Sequence, residues 1–123
     1  MRHDLEHGVL GPPGMVRLTV SLTVSAGDVQ GILTALRYLI GSTQLEPGCL
    51  GCSVWADVTP SVHYKEEWAT EEDARRHVGS AGFTSLLAVL ELAQEPPLVR
   101  FEFVTTTRGL DYVAEVRQVN LAR

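Results

Sequence analysis

Tyr64, Glu66, Trp68 and His77 bring together the residue types that proton transfer and aromatic recognition need. Unperturbed imidazole titrates near pH 6.5, which makes His77 the best general-base candidate in the chain. Tyr64, Glu66 and Trp68 alternate with His63, Lys65 and Glu67, so in a strand they share one face with Val62. A carboxylate among aromatic rings is costly to bury alone. Glu66 therefore calls for a partner: His77, a substrate hydroxyl or an arginine. Trp68 reads either as the wall of a pocket for planar rings or as a core residue with its indole N–H satisfied. His77 also has a bland reading. Arg75 and Arg76 beside it belong in water, and a surface histidine contributes little to a core, so its removal should leave the fold intact. His63 falls on the opposite strand face, toward solvent or a second copy.

Cys49 and Cys52 form a Cys-x-x-Cys. In a regular strand, residues three apart point to opposite faces with Cα atoms about 10 Å apart, beyond disulfide reach. Zinc would want two further ligands, and redox pairs of this spacing sit at helix N-termini. The expectation is two structural, reduced thiols. His3 and His7 are spaced for metal ligation only if helical, and Gly11-Pro12-Pro13-Gly14 sets them apart from the domain. No Gly-rich phosphate loop, nucleophile elbow or paired-carboxylate signature is present, and no metal site is expected.

The elements that must position these groups follow from hydrophobic period. Val16, Leu18, Val20, Leu22 and Val24 alternate with polar residues and predict a strand. Asp28 is placed to cap a helix to about Gln44, built on Val29, Ile32, Leu33, Leu36, Leu39 and Ile40 and stopped by Pro47-Gly48. Strands over 49–58 and 61–69 follow. Thr70 with Asp73 predicts a capping box and a short helix to about Gly79. Phe83, Leu86, Leu87 and Leu90 mark a further helix, and 98–107 a fourth strand. Leu110, Val113 and Ala114 allow a short C-terminal helix. The order β-α-β-β-α-β is that of the α+β ferredoxin-like fold. Residues 1–14 read as an arm outside the domain, 15–108 as the domain, and 109–123 as an extension toward a partner. Strands two and four have apolar residues on both faces in places, and one layer of helices covers one face. A homodimer with facing sheets is therefore expected.

At 123 residues the chain is one domain. A hydrophobic fraction of 45% excludes wholesale disorder. A net charge of −5 argues against nucleic acid, whose binders need a basic stripe. No apolar run approaches a membrane span and the N-terminus lacks a signal sequence, so a cytoplasmic protein with no membrane partner is expected.

Glu46-Pro47-Gly48-Cys49-Leu50, Glu66-Glu67-Trp68, then Glu71-Glu72, Ala74, His77 and Phe83 resemble, in order and spacing, the antibiotic biosynthesis monooxygenase family from about Val16 to Phe103. The resemblance implies a dimeric α+β barrel. It also implies oxidation of a quinol-like or polycyclic phenolic molecule by O₂ with no cofactor, neither metal nor flavin. The alternative is a non-catalytic barrel that binds a small aromatic ligand. Such an oxygenase needs a base, oxyanion donors and a dry pocket. His77 and Glu66 are then the catalytic candidates, and Tyr64, Trp68 and Phe83 the substrate-binding ones. The haem-degrading branch has an Asn and a His where this chain has Val20 and Leu87, which disfavours haem degradation.

Overall fold

The computed structural model describes residues 13–121; the arm up to residue 12, with the His3–His7 pair, lies outside them. Strand β1 (Val16–Thr23) leads through a 3₁₀ turn at Ala26–Asp28 into helix α1 (Val29–Thr43). Strands β2 (Cys49–Asp57) and β3 (Ser61–Trp68) form a hairpin, followed by α2 (Glu71–Val78), α3 (Ala81–Leu90), β4 (Leu98–Phe103) and α4 (Leu110–Leu121). The sheet order is β2-β3-β1-β4, antiparallel throughout. This is the ferredoxin-like α+β arrangement, with α2 and α3 together in the place of its second helix.

Local chemistry explains the boundaries. Thr70 accepts a hydrogen bond from the Asp73 N–H, starting α2, and Ser80 accepts one from the Phe83 N–H, starting α3. Asp28 does not cap α1 with its side chain; its carboxylate instead accepts the Ser25 hydroxyl at 2.7 Å. β4 ends at Phe103, short of the expected 107, because its partner β1 runs out. The last bonds are Val104 N–H to the Met15 carbonyl and Gly14 N–H to the Val104 carbonyl, where Gly14 turns away with φ +89°.

The core fills the space between helices and sheet. Leu18, Val20 and Leu22 of β1 and Val62 and Tyr64 of β3 meet Ile32, Leu33 and Leu36 of α1 and Phe83, Leu86 and Leu90 of α3. Register decides which face each residue joins. Val16, Leu18 and Val20 oppose Phe103, Phe101 and Val99, so the apolar residues of β4 point to the helix side. The other face carries Arg17, Thr19, Ser21, His63, Lys65, Glu67, Arg100 and Glu102, with Arg17 bonded to Glu67 at 2.9 Å. The expectation of a second, partly apolar face is thus corrected. Trp55 and Leu98 aside, that face is polar, and the open apolar surface is the helix side of β4, where Phe103 stays 57% exposed.

Gly48 marks the tightest join between layers. Its φ is +85°, and a Cβ there would come within 2.1 Å of the Asp73 carboxyl group on α2. Gly48→Ala therefore combines a strained backbone with a clash, and should lower the unfolding free energy by about 1–3 kcal/mol. Urea denaturation reads this directly; an unchanged midpoint would show that the loop is free to move off α2.

Candidate functional site

β3 supplies three members of the site by alternation: Tyr64, Glu66 and Trp68 project to the helix side and are 1–2% exposed. Glu66 is satisfied by three donors. The Tyr64 hydroxyl donates to its Oε2 at 2.6 Å and the Trp68 indole N–H to its Oε1 at 3.0 Å. The third donor is His77, whose Nε2 lies 3.0 Å from Oε2. Among the described residues, these three donors include no arginine.

The one-sided amphipathicity of α2 turns His77 inward while Arg75 and Arg76 face solvent. His77 is 1% exposed, which corrects its reading as a helix-surface residue. Its ring stacks on Trp68 with centroids 4.7 Å apart and meets the Phe83 ring edge-on at 5.7 Å. Its Nδ1 is 3.0 and 3.1 Å from the two oxygens of Glu46, whose side chain is 29% exposed. Glu46 is held there by the 46–49 turn. Arg76 donates to the Pro47 carbonyl at 3.0 Å, and the Ala69 N–H donates to the Gly48 carbonyl at 2.8 Å. Ser80 ties the end of α2 to α3 by donating to the His77 carbonyl at 2.7 Å while capping α3.

Glu46, His77, Glu66 and Tyr64 are therefore one hydrogen-bonded chain running from the surface into the core. Burial pulls the His77 imidazolium down, but hydrogen bonds and charge from Glu66 and then Glu46 outweigh it, holding its pKa above the ordinary 6.5. Burial, with the Glu66 charge, pushes the Tyr64 phenol far above its usual range, so Tyr64 keeps the proton that it donates to Glu66. The His77 ring bridges two carboxyl groups, and in its protonated form it donates to both.

All five residues singled out from the sequence come together: Tyr64, Glu66, Trp68, His77 and Phe83. Glu46 is the member that reading missed as a site residue; its only signal was its place ahead of Pro47-Gly48. Sequence reading also missed an open apolar groove of about 380 Å³ between α2 and β4, lined by Val16, Ala74, Val78, Phe101 and Phe103 among others. Val20 is core and Leu87 is 47% exposed on α3. His63 lies on the polar face, its Nε2 2.7 Å from Asp57 and its ring stacked on Trp55.

The cysteine geometry is corrected. A bulge between Cys49 and Gly51 removes one residue from the count, so Cys49 opposes Trp68 and Cys52 opposes Glu66. Both thiols then lie on the helix-side face, free, with sulfurs 3.6 Å apart. Among the described residues, no group of three or more His, Cys, Asp or Glu is arranged to hold a metal ion. Among them, too, no helix is long and apolar enough to cross a membrane.

This fold and this strand order define a ferredoxin-like α+β domain. The family model for antibiotic biosynthesis monooxygenases matches residues 15–89, more than half of the chain, and the protein belongs to that family. Its fold is similar to that of a conserved protein from Methanosarcina mazei (20% identity, TM-score 0.67), covering 74% of this chain and 93% of that one. It is similar to a structure described as an antibiotic biosynthesis monooxygenase (18% identity, TM-score 0.63; 74% and 99% covered). A Nitrosomonas europaea protein described by the same family name is 18% identical with TM-score 0.66, covering 82% of this chain and all of its own. No curated protein matches the chain.

Removing His77 leaves Glu66 buried beside an uncompensated gap. His77→Ala should therefore cost about 3–5 kcal/mol of stability, reversing the expectation of an intact fold. The linked pH dependence has a definite sign. A pKa raised on folding stabilises fully below the unfolded value of 6.5 and is lost as pH climbs through the folded value. Urea midpoints should fall across that window in the wild type and flatten in His77→Gln. An identical slope in both proteins would remove His77 from the pH response.

Proposed function

We propose that the protein is a monooxygenase that oxidises a quinol-like or polycyclic phenolic small molecule with O₂, without metal or flavin. Family membership supports the reaction class, and the buried chain from Glu46 to Tyr64 is the observation that carries the reading. Such chemistry begins by ionising a phenol, because the phenolate is electron-rich enough to reduce O₂ directly. For an anthrone-type substrate, a ring CH₂ becomes C=O and the second oxygen atom leaves as water. The base must then pass its proton out of a dry interior. In its neutral form His77 is suited to take it, Glu66 orients the ring, and Glu46 offers the way to solvent. Trp68 and Phe83, which bracket His77, would stack against the substrate, and Tyr64 would donate to its oxygen only by releasing Glu66.

The second reading is a barrel that binds a small aromatic ligand without turning it over. It is favoured by the mutual satisfaction of Tyr64, Glu66, Trp68 and His77, and by the position of the open groove beside Phe101 and Phe103 instead. Oxygen uptake with a panel of hydroquinones and anthrones separates the two. The enzyme reading expects His77→Gln to lower kcat by about 10²–10⁴ while Trp68→Phe raises KM. The wild-type rate should rise with pH through a pKa above 6.5, since only neutral imidazole accepts a proton. Saturable ring binding with no oxygen uptake would establish the second reading.

The working form we propose is a homodimer. Val99, Phe101 and Phe103 on β4 are 40–57% exposed, and Leu110, Tyr112, Val113 and Val116 give α4 an apolar surface in the open. A partner covering both would bury ~2,000 Å² or more in total. Sedimentation equilibrium at micromolar concentration should return twice the chain mass; a stable monomer there would refute the dimer.

A further inference from the structure

The β2 bulge has placed two thiols in a position that neither the fold nor the oxygenase reading uses. Cys49 and Cys52 oppose Trp68 and Glu66, residues two apart on β3. Their backbones are thus separated by about two strand steps, ~6.7 Å, inside the Cα range that a disulfide spans. The sulfurs are already 3.6 Å apart, so side-chain rotation and a small backbone adjustment suffice to bond them. Both thiols are partly exposed and neither is bonded to another cysteine. Cys49 packs against the Val16–Trp68–Ala74 cluster, and the Cys52 thiol lies beside the Tyr64 hydroxyl and within the field of Glu66.

We propose that Cys49 and Cys52 are a reversible dithiol–disulfide couple that takes a hydroperoxide as its two-electron oxidant, and that Trp68 senses its state. The order of events follows from the two environments. Burial first, and the neighbouring Cys49 next, push the Cys52 thiol far up, which disfavours Cys52 as the attacking sulfur and leaves that part to Cys49. Cys49 sulfur attacks the peroxide, the O–O bond breaks, and hydroxide leaves with Cys49 as a sulfenic acid. Cys52 sulfur then attacks the sulfenic sulfur, the S–S bond forms and the S–O bond breaks. The departing hydroxide takes the Cys52 proton and leaves as water. Two thiols are oxidised by two electrons and hydrogen peroxide becomes two waters. An external dithiol reverses the change by exchange.

The test uses the full chain, reduced and then treated with hydrogen peroxide near stoichiometry. Intact mass should fall by ~2 Da, the two hydrogens lost, and denatured thiol titration should drop from two to none, with dithiothreitol restoring both. Cys52→Ser should instead trap a dimedone-reactive sulfenic acid at Cys49, whereas Cys49→Ser should resist oxidation. Tryptophan emission should fall on oxidation in the wild type and hold steady in Trp68→Phe, in which the mass shift persists. Two thiols surviving peroxide would overturn the proposal. So would a bond formed only between chains, or sulfenic acid formed equally in both single variants.

Discussion

A carboxylate buried to 1% exposure is the constraint on which this molecule is organised. Taking a carboxylate out of water costs several kcal/mol, and hydrogen bonds to a charged acceptor return about 1.5–3 each. Three donors are needed to close that account, and they come from two elements. Tyr64 and Trp68 are fixed by the pleat of β3, one on either side of Glu66. His77 arrives from α2, a short helix capped by Thr70 that sets its histidine and Ala74 against the sheet. Aromatic packing then serves the electrostatics. Trp68 and Phe83 hold the imidazole in place and keep water from competing for its N–H groups.

The second carboxylate changes what the cluster is. With Glu66 alone, His77 would complete a local pair; with Glu46 on its other nitrogen, it joins the helix layer to the turn between α1 and β2. That turn is pinned from two directions, by Arg76 on the Pro47 carbonyl and by the close seat of Gly48 on Asp73. One charged, hydrogen-bonded line thus ties together β3, α2 and the 46–49 turn, elements that apolar packing alone would let slide. The proposed site and the rigidity of the layers therefore depend on the same atoms.

Period and capping made most of the fold legible. The alternation of Val16–Val24 and of Val62–Trp68 identified the two central strands, and Thr70 with Asp73 located the start of α2. The shared face of Tyr64, Glu66 and Trp68 followed from the same alternation. Three features were not readable, each for a physical reason. The Glu46–His77 contact joins residues far apart in sequence through a turn whose shape depends on Gly48 adopting a positive φ. The Cys49–Cys52 proximity depends on one extra residue in β2, and a strand with a bulge has the same composition as one without. The burial of His77 was masked by Arg75 and Arg76, since in an eight-residue helix a single position can face inward while its neighbours face out.

The order of the strands carries a consequence for how the chain is made. β1 lies inside the sheet, yet one of its two partners is β4: Val16 pairs with Phe103, and the intervening chain must be synthesised before that edge is covered. In chain order β2 and β3 are complete before β4, so until β4 is made β1 has a partner on one side and a bare edge, with alternating valine and leucine, on the other. Such an edge is the kind that recruits strands from other chains. It stays open until a six-residue strand, itself apolar and half-exposed, docks last. Long-range pairing of this type closes slowly. The period between emergence of β3 and arrival of β4 is therefore when the nascent chain is most open to mispairing, and the shortest strand of the sheet is the one that ends it.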